Sequence, residues 1–263
     1  MAVALIAAVL ATIRPALADQ QYDVRGDDVY HVGSSQTASR VAYTGEQRLT
    51  VGHQNGRTRY DAQATYTRDG EDGTTHVNAR FVQELLPNGS FEDRIDDDPD
   101  FLTILNQPFA VQLDPATLRD LRGLRGEVPF SATSPLGGEA VLHGHLHPGA
   151  GGKVDGRPTV AVAFEAQGPM SASMPDRAGS RMSGHIRMDG TAYYSLDDAM
   201  LLALNATLTI VAKLHDAAKT VPVRIIYRRY IRASSTTAVP NPVKTLPPTP
   251  LATGGGTVSP AFP

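Results

Sequence analysis

Three histidines at alternate positions are the sharpest chemical feature of this chain. In Val141-Leu142-His143-Gly144-His145-Leu146-His147-Pro148, an extended backbone puts His143, His145 and His147 on one face, with neighbours roughly 6.5–7 Å apart. Imidazoles at that spacing can share a Zn, Cu or Ni ion. A carboxylate such as Glu139 or Asp155 would complete the shell. The competing reading is an edge strand whose solvent face carries three polar rings and whose other face is Leu142 and Leu146. No second ligand motif with fixed spacing accompanies the histidines, so they are candidate metal ligands standing alone.

Other chemistry is harder to find. The acidic run Glu92-Asp93-Arg94-Ile95-Asp96-Asp97-Asp98-Pro99-Asp100 supplies oxygens, but it lacks the glycine and the closing Glu of a calcium-binding loop. It reads as a solvated, turn-rich connection. There is no Gly-x-Ser-x-Gly elbow, no Ser-x-x-Lys and no His-Glu-x-x-His, the spacings that activate a nucleophile or a metal-bound water. Asp189-Gly190-Thr191 reverses the order found in aspartic proteases and has no second copy. The chain has no Cys, which removes thiol catalysis, disulfides, Cys-ligated zinc and iron–sulfur clusters together. His185, with Arg181, Arg187 and the Tyr193-Tyr194 pair, either binds an anion or forms an ordinary cross-strand ladder. No catalytic residue is assigned, no ligand-binding residue is named, no cofactor is expected, and the reading leans away from an enzyme.

The elements that must position these residues are strands. Apolar and polar residues alternate with period two over long stretches, the signature of half-buried antiparallel β-structure. Val41, Tyr43, Leu49 and Val51 share one parity against Arg40, Thr44, Glu46, Arg48 and Thr50. Tyr60, Ala62, Ala64 and Tyr66 repeat the pattern, and Asp69-Gly70-Glu71-Asp72-Gly73 turns the chain back into Val77, Ala79 and Phe81. Further on come Val160 to Ala166, Met182 to Met188, a hairpin around Ser195 to Asp198, and Met200 to Ile210. The last strand places Val223, Ile225, Tyr227 and Ile231 opposite Arg224, Arg228, Tyr230 and Arg232. One helix is predicted near 115–123, with Asp114 as its N-cap and Pro115 in the first turn. It either covers the end of a barrel or marks a pseudo-boundary near 114–126. The predicted fold is mainly β: long antiparallel strands forming a curved sheet or a partly open barrel, in one domain over residues 19–232.

The two ends read differently from the body. An apolar stretch from Ala2 to Ile13 leads to Ala16-Leu17-Ala18, the small residues a signal peptidase reads, so residues 1–18 are expected to be an export signal. No Lys or Arg follows Met1, so the usual positive start of such a signal is missing. The run is too short for a transmembrane helix, which needs about 20 apolar residues. Residues 233–263, rich in Pro and Gly, are expected to be a disordered tail. The 24 Lys and Arg against 27 Asp and Glu, a net charge of −3, argue against a nucleic-acid binder. Scarce aromatics (6%) and the absence of Trp argue against an outer-membrane barrel with its aromatic girdles.

Together these features predict a periplasmic or secreted bacterial envelope protein. Long one-sided strands lined by small residues and Met suggest that it binds an apolar or amphipathic ligand, a lipid for instance. Two alternatives stand beside that reading. One is a structural or assembly component that contacts an envelope protein partner. The other is a metal-dependent enzyme using His143, His145 and His147.

Overall fold

The computed structural model describes residues 17–34, 37–54, 56–86, 91–98, 100, 115–123, 126–133, 141–173, 180–216 and 219–234. Most of the expected export signal, nearly all of the expected tail, and the residues Asp114 and Glu139 lie outside these. In chain order the elements are β1 (Leu17–Val32), β2 (Ser39–Gln54), β3 (Arg57–Gly70), β4 (Gly73–Leu85), β5 (Phe91–Asp96), α1 (Pro115–Gly123), β6 (Val128–Thr133), β7 (Val141–Val154), β8 (Arg157–Ser173), β9 (Arg181–Ser195), β10 (Leu201–His215) and β11 (Thr220–Ala233). The expected helix is therefore present, and the alternating stretches are the strands.

All eleven strands form one antiparallel sheet in the order β5-β4-β3-β2-β1-β11-β10-β9-β8-β7-β6. The chain builds two meanders, β1–β5 and β6–β11, and closes them along a central seam where the first strand pairs with the last, from Tyr22↔Ala233 to Val32↔Val223. The connection carrying α1 joins the two outer edges. Tight turns set the register locally. Gly70 pairs with Gly73 across a two-residue turn. Asp155 (φ 54°) and Gly156 (φ 78°) make the mirror-image turn that suits a twisted hairpin between β7 and β8.

Most of the long strands bury one face, β7 buries little beyond Leu142 and Val154, and β10 is buried on both faces over its first half. Tyr22 and Val24 on β1, Leu49 and Val51 on β2, Ala62 and Ala64 on β3, Ile186 and Met188 on β9, and Leu204 to Ile210 at alternate positions on β10 all turn inward. The sheet buries this face largely by curling. Flat, β3 and β9 would lie about 24 Å apart, five strand spacings, yet Tyr60 on β3 and Tyr194 on β9 belong to one buried cluster. Inward-facing glycines permit the bend. At Gly45 a Cβ would stand 2.3 Å from the Thr65 carbonyl oxygen, and at Gly184 one would stand 2.2 Å from that of Val211. Only a residue without a side chain lets neighbouring backbones fold together so closely. The sheet does not close: among the described residues β5 and β6 have no strand beyond them. Among the same residues no helix is long and apolar enough to cross a membrane.

Candidate functional site

The three histidines lie on β7, next to edge strand β6, and share the outer face while Leu142 turns inward. Their neighbours are ordinary surface partners. His143 Nδ1 is 2.8 Å from the Ser131 hydroxyl across the β6 ladder, and His147 Nδ1 is 3.9 Å from Glu127. Asp155, expected as a further ligand, instead accepts from Arg232. An open groove of about 640 Å³ runs beside His143 and His145, with Phe130, Glu165 and Arg187 on its walls. Among the described residues no group of three or more His, Cys, Asp or Glu side chains is placed to hold a metal ion. His185, Arg181 and Arg187 likewise occupy the exposed outer face of β9, with Arg187 reaching Glu165 and Asp189.

The denser constellation is on the inner face, where an apolar lining would be the default. Register puts Arg229, Gly26, Tyr43 and Arg68 in one row across β11, β1, β2 and β3. Arg229 is only 1% exposed. It fits because Gly26 opposite has no side chain: a Cβ there would stand 3.0 Å from Arg229 Nη1. The guanidinium donates to Asp28 Oδ1 at 2.5 Å. It also lies 5.0 Å from the Tyr43 ring centre and 5.7 Å from that of Tyr227, where the π-faces favour a cation. Asp28 accepts in addition from Tyr43 Oη at 2.8 Å and Tyr30 Oη at 3.2 Å.

The far side of the row meets the acidic run. Phe91–Asp96 pairs with β4 as an edge strand, and the chain then turns inward. Asp98 is 2% exposed and accepts from Tyr66 Oη at 2.8 Å. The Asp100 carboxylate accepts from Tyr66 Oη at 3.0 Å and Tyr43 Oη at 3.2 Å, and Arg68 Nε stands 3.3 Å away. The Asp100 backbone carbonyl accepts from Arg229 Nη2 at 3.1 Å. The acidic run is therefore not a solvated connection: its first half, Glu92 to Asp96, is strand, and its end is tied to a buried donor set.

Electrostatics follow from burial. Asp28 has its carboxyl raised, because desolvation outweighs the pull of Arg229 and the two phenols. Burial works against the Arg229 charge, but Asp28 overcomes it and the guanidinium is held protonated. Burial, joined by the neighbouring carboxylates, pushes the Tyr43 and Tyr66 phenols far up, so both stay neutral donors. The row can therefore do one thing well: present two guanidiniums and two phenolic hydroxyls to oxygen acceptors. It holds no activated nucleophile.

Periodicity did not reveal this site, although a signal was present. Arg229 falls on the same parity as Tyr227 and Ile231, and Asp28 on that of Tyr22 and Val24. A cation and an anion at apolar positions of the first and last strands mark a buried pair, provided that those strands are neighbours.

No protein-family model matches the chain, and no curated protein matches it in sequence. Among solved structures it is similar to a DUF1329 family protein from Desulfovibrio piger. The two are 11% identical over 84% of this chain and 88% of that one, with a TM-score of 0.16, a likeness too loose to carry any argument.

Proposed function

We propose that this chain is a non-enzymatic, exported bacterial envelope protein that holds an apolar or amphipathic ligand, such as a lipid, against the inner face of its sheet. The supporting observation is an unclosed, curled sheet lined by small and flexible side chains. Ala62, Ala64 and Ala206 are small, while Met170, Met182 and Met188 can adapt to different shapes. A sheet with two free edges can widen between them without breaking a ladder hydrogen bond. Its apolar lining can then exchange self-contact for ligand. Export, to the periplasm or beyond, rests on the apolar stretch ahead of Ala18.

Delipidated protein titrated with a neutral, environment-sensitive dye tests the reading. Saturable binding with a shift to apolar emission is expected, and Ala206→Trp should abolish it by filling the lining. Absence of saturable binding for both the dye and neutral lipids would refute the reading.

The outer edges of β5 and β6, which have no neighbouring strand among the described residues, favour a second reading, an assembly component that pairs with a partner strand along one of them. Truncation after Ser234 tests the contribution of the tail to that role. Loss of partner recovery from envelope extracts, with dye binding intact, would support assembly.

A further inference from the structure

Donors from three strands converge on a residue that belongs to none of them. Tyr43 on β2, Tyr66 and Arg68 on β3 and Arg229 on β11 all engage Asp100. Asp98 draws on the Tyr66 hydroxyl as well. The acceptors are over-supplied. A phenol has one proton to give, yet Tyr66 is divided between Asp98 and Asp100 and Tyr43 between Asp28 and Asp100. With Asp98 and Asp100 in place, three carboxylates meet two guanidiniums; without them one carboxylate, Asp28, remains. The sheet side of the row thus carries net positive charge of its own. Arg229 Nε, buried with no hydrogen-bond partner among the described residues, adds a further N–H to a donor-rich wall.

We infer that this row is a binding site for an oxyanion, a carboxylate or phosphate, and that Asp98 and Asp100 occupy it when no ligand is bound. Guanidinium forks and neutral phenols are the donors such groups select. The row also runs from solvent into the core: the Arg68 side chain is 39% exposed and that of Arg229 is 1% exposed. Inward from Tyr66 on the same strand come Ala64 and Ala62, both buried. An anionic head on the row would therefore place an attached acyl chain along the small-residue lining. The inference rests on the proposed carrier role and names its ligand class, an acidic amphiphile.

The test compares a fluorescent fatty acid with its methyl ester on the delipidated full chain, with inorganic phosphate as competitor. The acid should bind about tenfold tighter than the ester or better, the discrimination expected of charge-assisted hydrogen bonds. Arg68→Gln and Tyr66→Phe should each erase that ratio by weakening binding of the acid. Asp100→Asn should raise acid affinity by removing the internal competitor. Displacement of the acid by free phosphate would assign the row to soluble oxyanions as well as to lipid heads. Equal binding of acid and ester would overturn the inference and leave the carrier role standing. No binding of either would end both.

Discussion

Two ion pairs sit side by side on the central seam, on opposite faces of it. Arg228 donates to Asp27 at 2.9 Å on the outer face, with side chains 26% and 22% exposed. Arg229 donates to Asp28 at 2.5 Å on the inner face, with 1% and 2%. The residue types are the same and the chain positions are consecutive. What differs is water. Outside, solvent screens the attraction and would hydrate either partner left alone. Inside, each charge depends on protein groups alone: Asp28 on its partner and two phenols, Arg229 on its partner, two aromatic faces and the Asp100 and Arg228 carbonyls. The outer pair decorates the seam, whereas the inner one is a condition of closing it.

The sharpest way to break that contrast is to remove one inner partner. Arg229→Ala should cost about 3–5 kcal/mol in urea unfolding, since Asp28 is left buried and unpaired. Replacing both, as Asp28→Leu with Arg229→Met, should recover most of that loss. A double variant no better than the single one would show that the pair is not an isolated unit. Next in size is Gly26→Ala, whose Cβ would stand 2.6 Å from the Arg228 carbonyl oxygen. It should cost about 1–3 kcal/mol as an overpacked site, read as a lower thermal midpoint. Tyr66→Phe removes the hydroxyl that Asp98 and Asp100 share, at about 1–3 kcal/mol. Arg228→Ala, on the wet side of the same seam, should cost about 1 kcal/mol or less. If it matched Arg229→Ala, burial would not be what separates the faces.

Acid should act on the two faces with opposite sign. On the outer face Arg80 holds the Asp61 carboxyl below its ordinary value. That contribution is present above the unfolded-state pKa and is lost as pH falls through the folded one. On the inner face Asp28 is raised by burial, so the folded state takes up a proton before the unfolded chain does. Its contribution falls as pH rises from the ordinary carboxylate range through the raised value. Arg80→Ala should flatten the acid limb of the stability curve by a fraction of the whole, the smallest effect here. A limb unchanged in that variant would sever the link to Asp61.

Much of the fold was legible because it is local. Period-two alternation identified Val41 to Val51, Tyr60 to Tyr66 and Met200 to Ile210 as one-sided strands, Asp69 to Gly73 marked a hairpin, and Pro115 opened the helix. The seam was not legible. Pairing Gly26 with Arg229 spans nearly the whole described chain, and no periodicity encodes which distant strands become neighbours. The inner row depends on that pairing, so the parity of Asp28 and Arg229 set each among apolar neighbours without saying that the two would meet. The buried end of the acidic run was missed for a different reason. A run of carboxylates is normally solvated, and only the tertiary position of Tyr43, Tyr66 and Arg68 gives this one donors. The histidine strand shows the limit of spacing from the other side. The three rings do share a face, yet the partners seen there are Ser131 and Glu127.

The most direct test of the carrier account is native mass spectrometry of the protein recovered gently from its own host. A lipid-sized adduct that organic solvent removes and that carries an acidic headgroup is expected. A clean mass for the chain alone, unchanged after incubation with fatty acid, would contradict it.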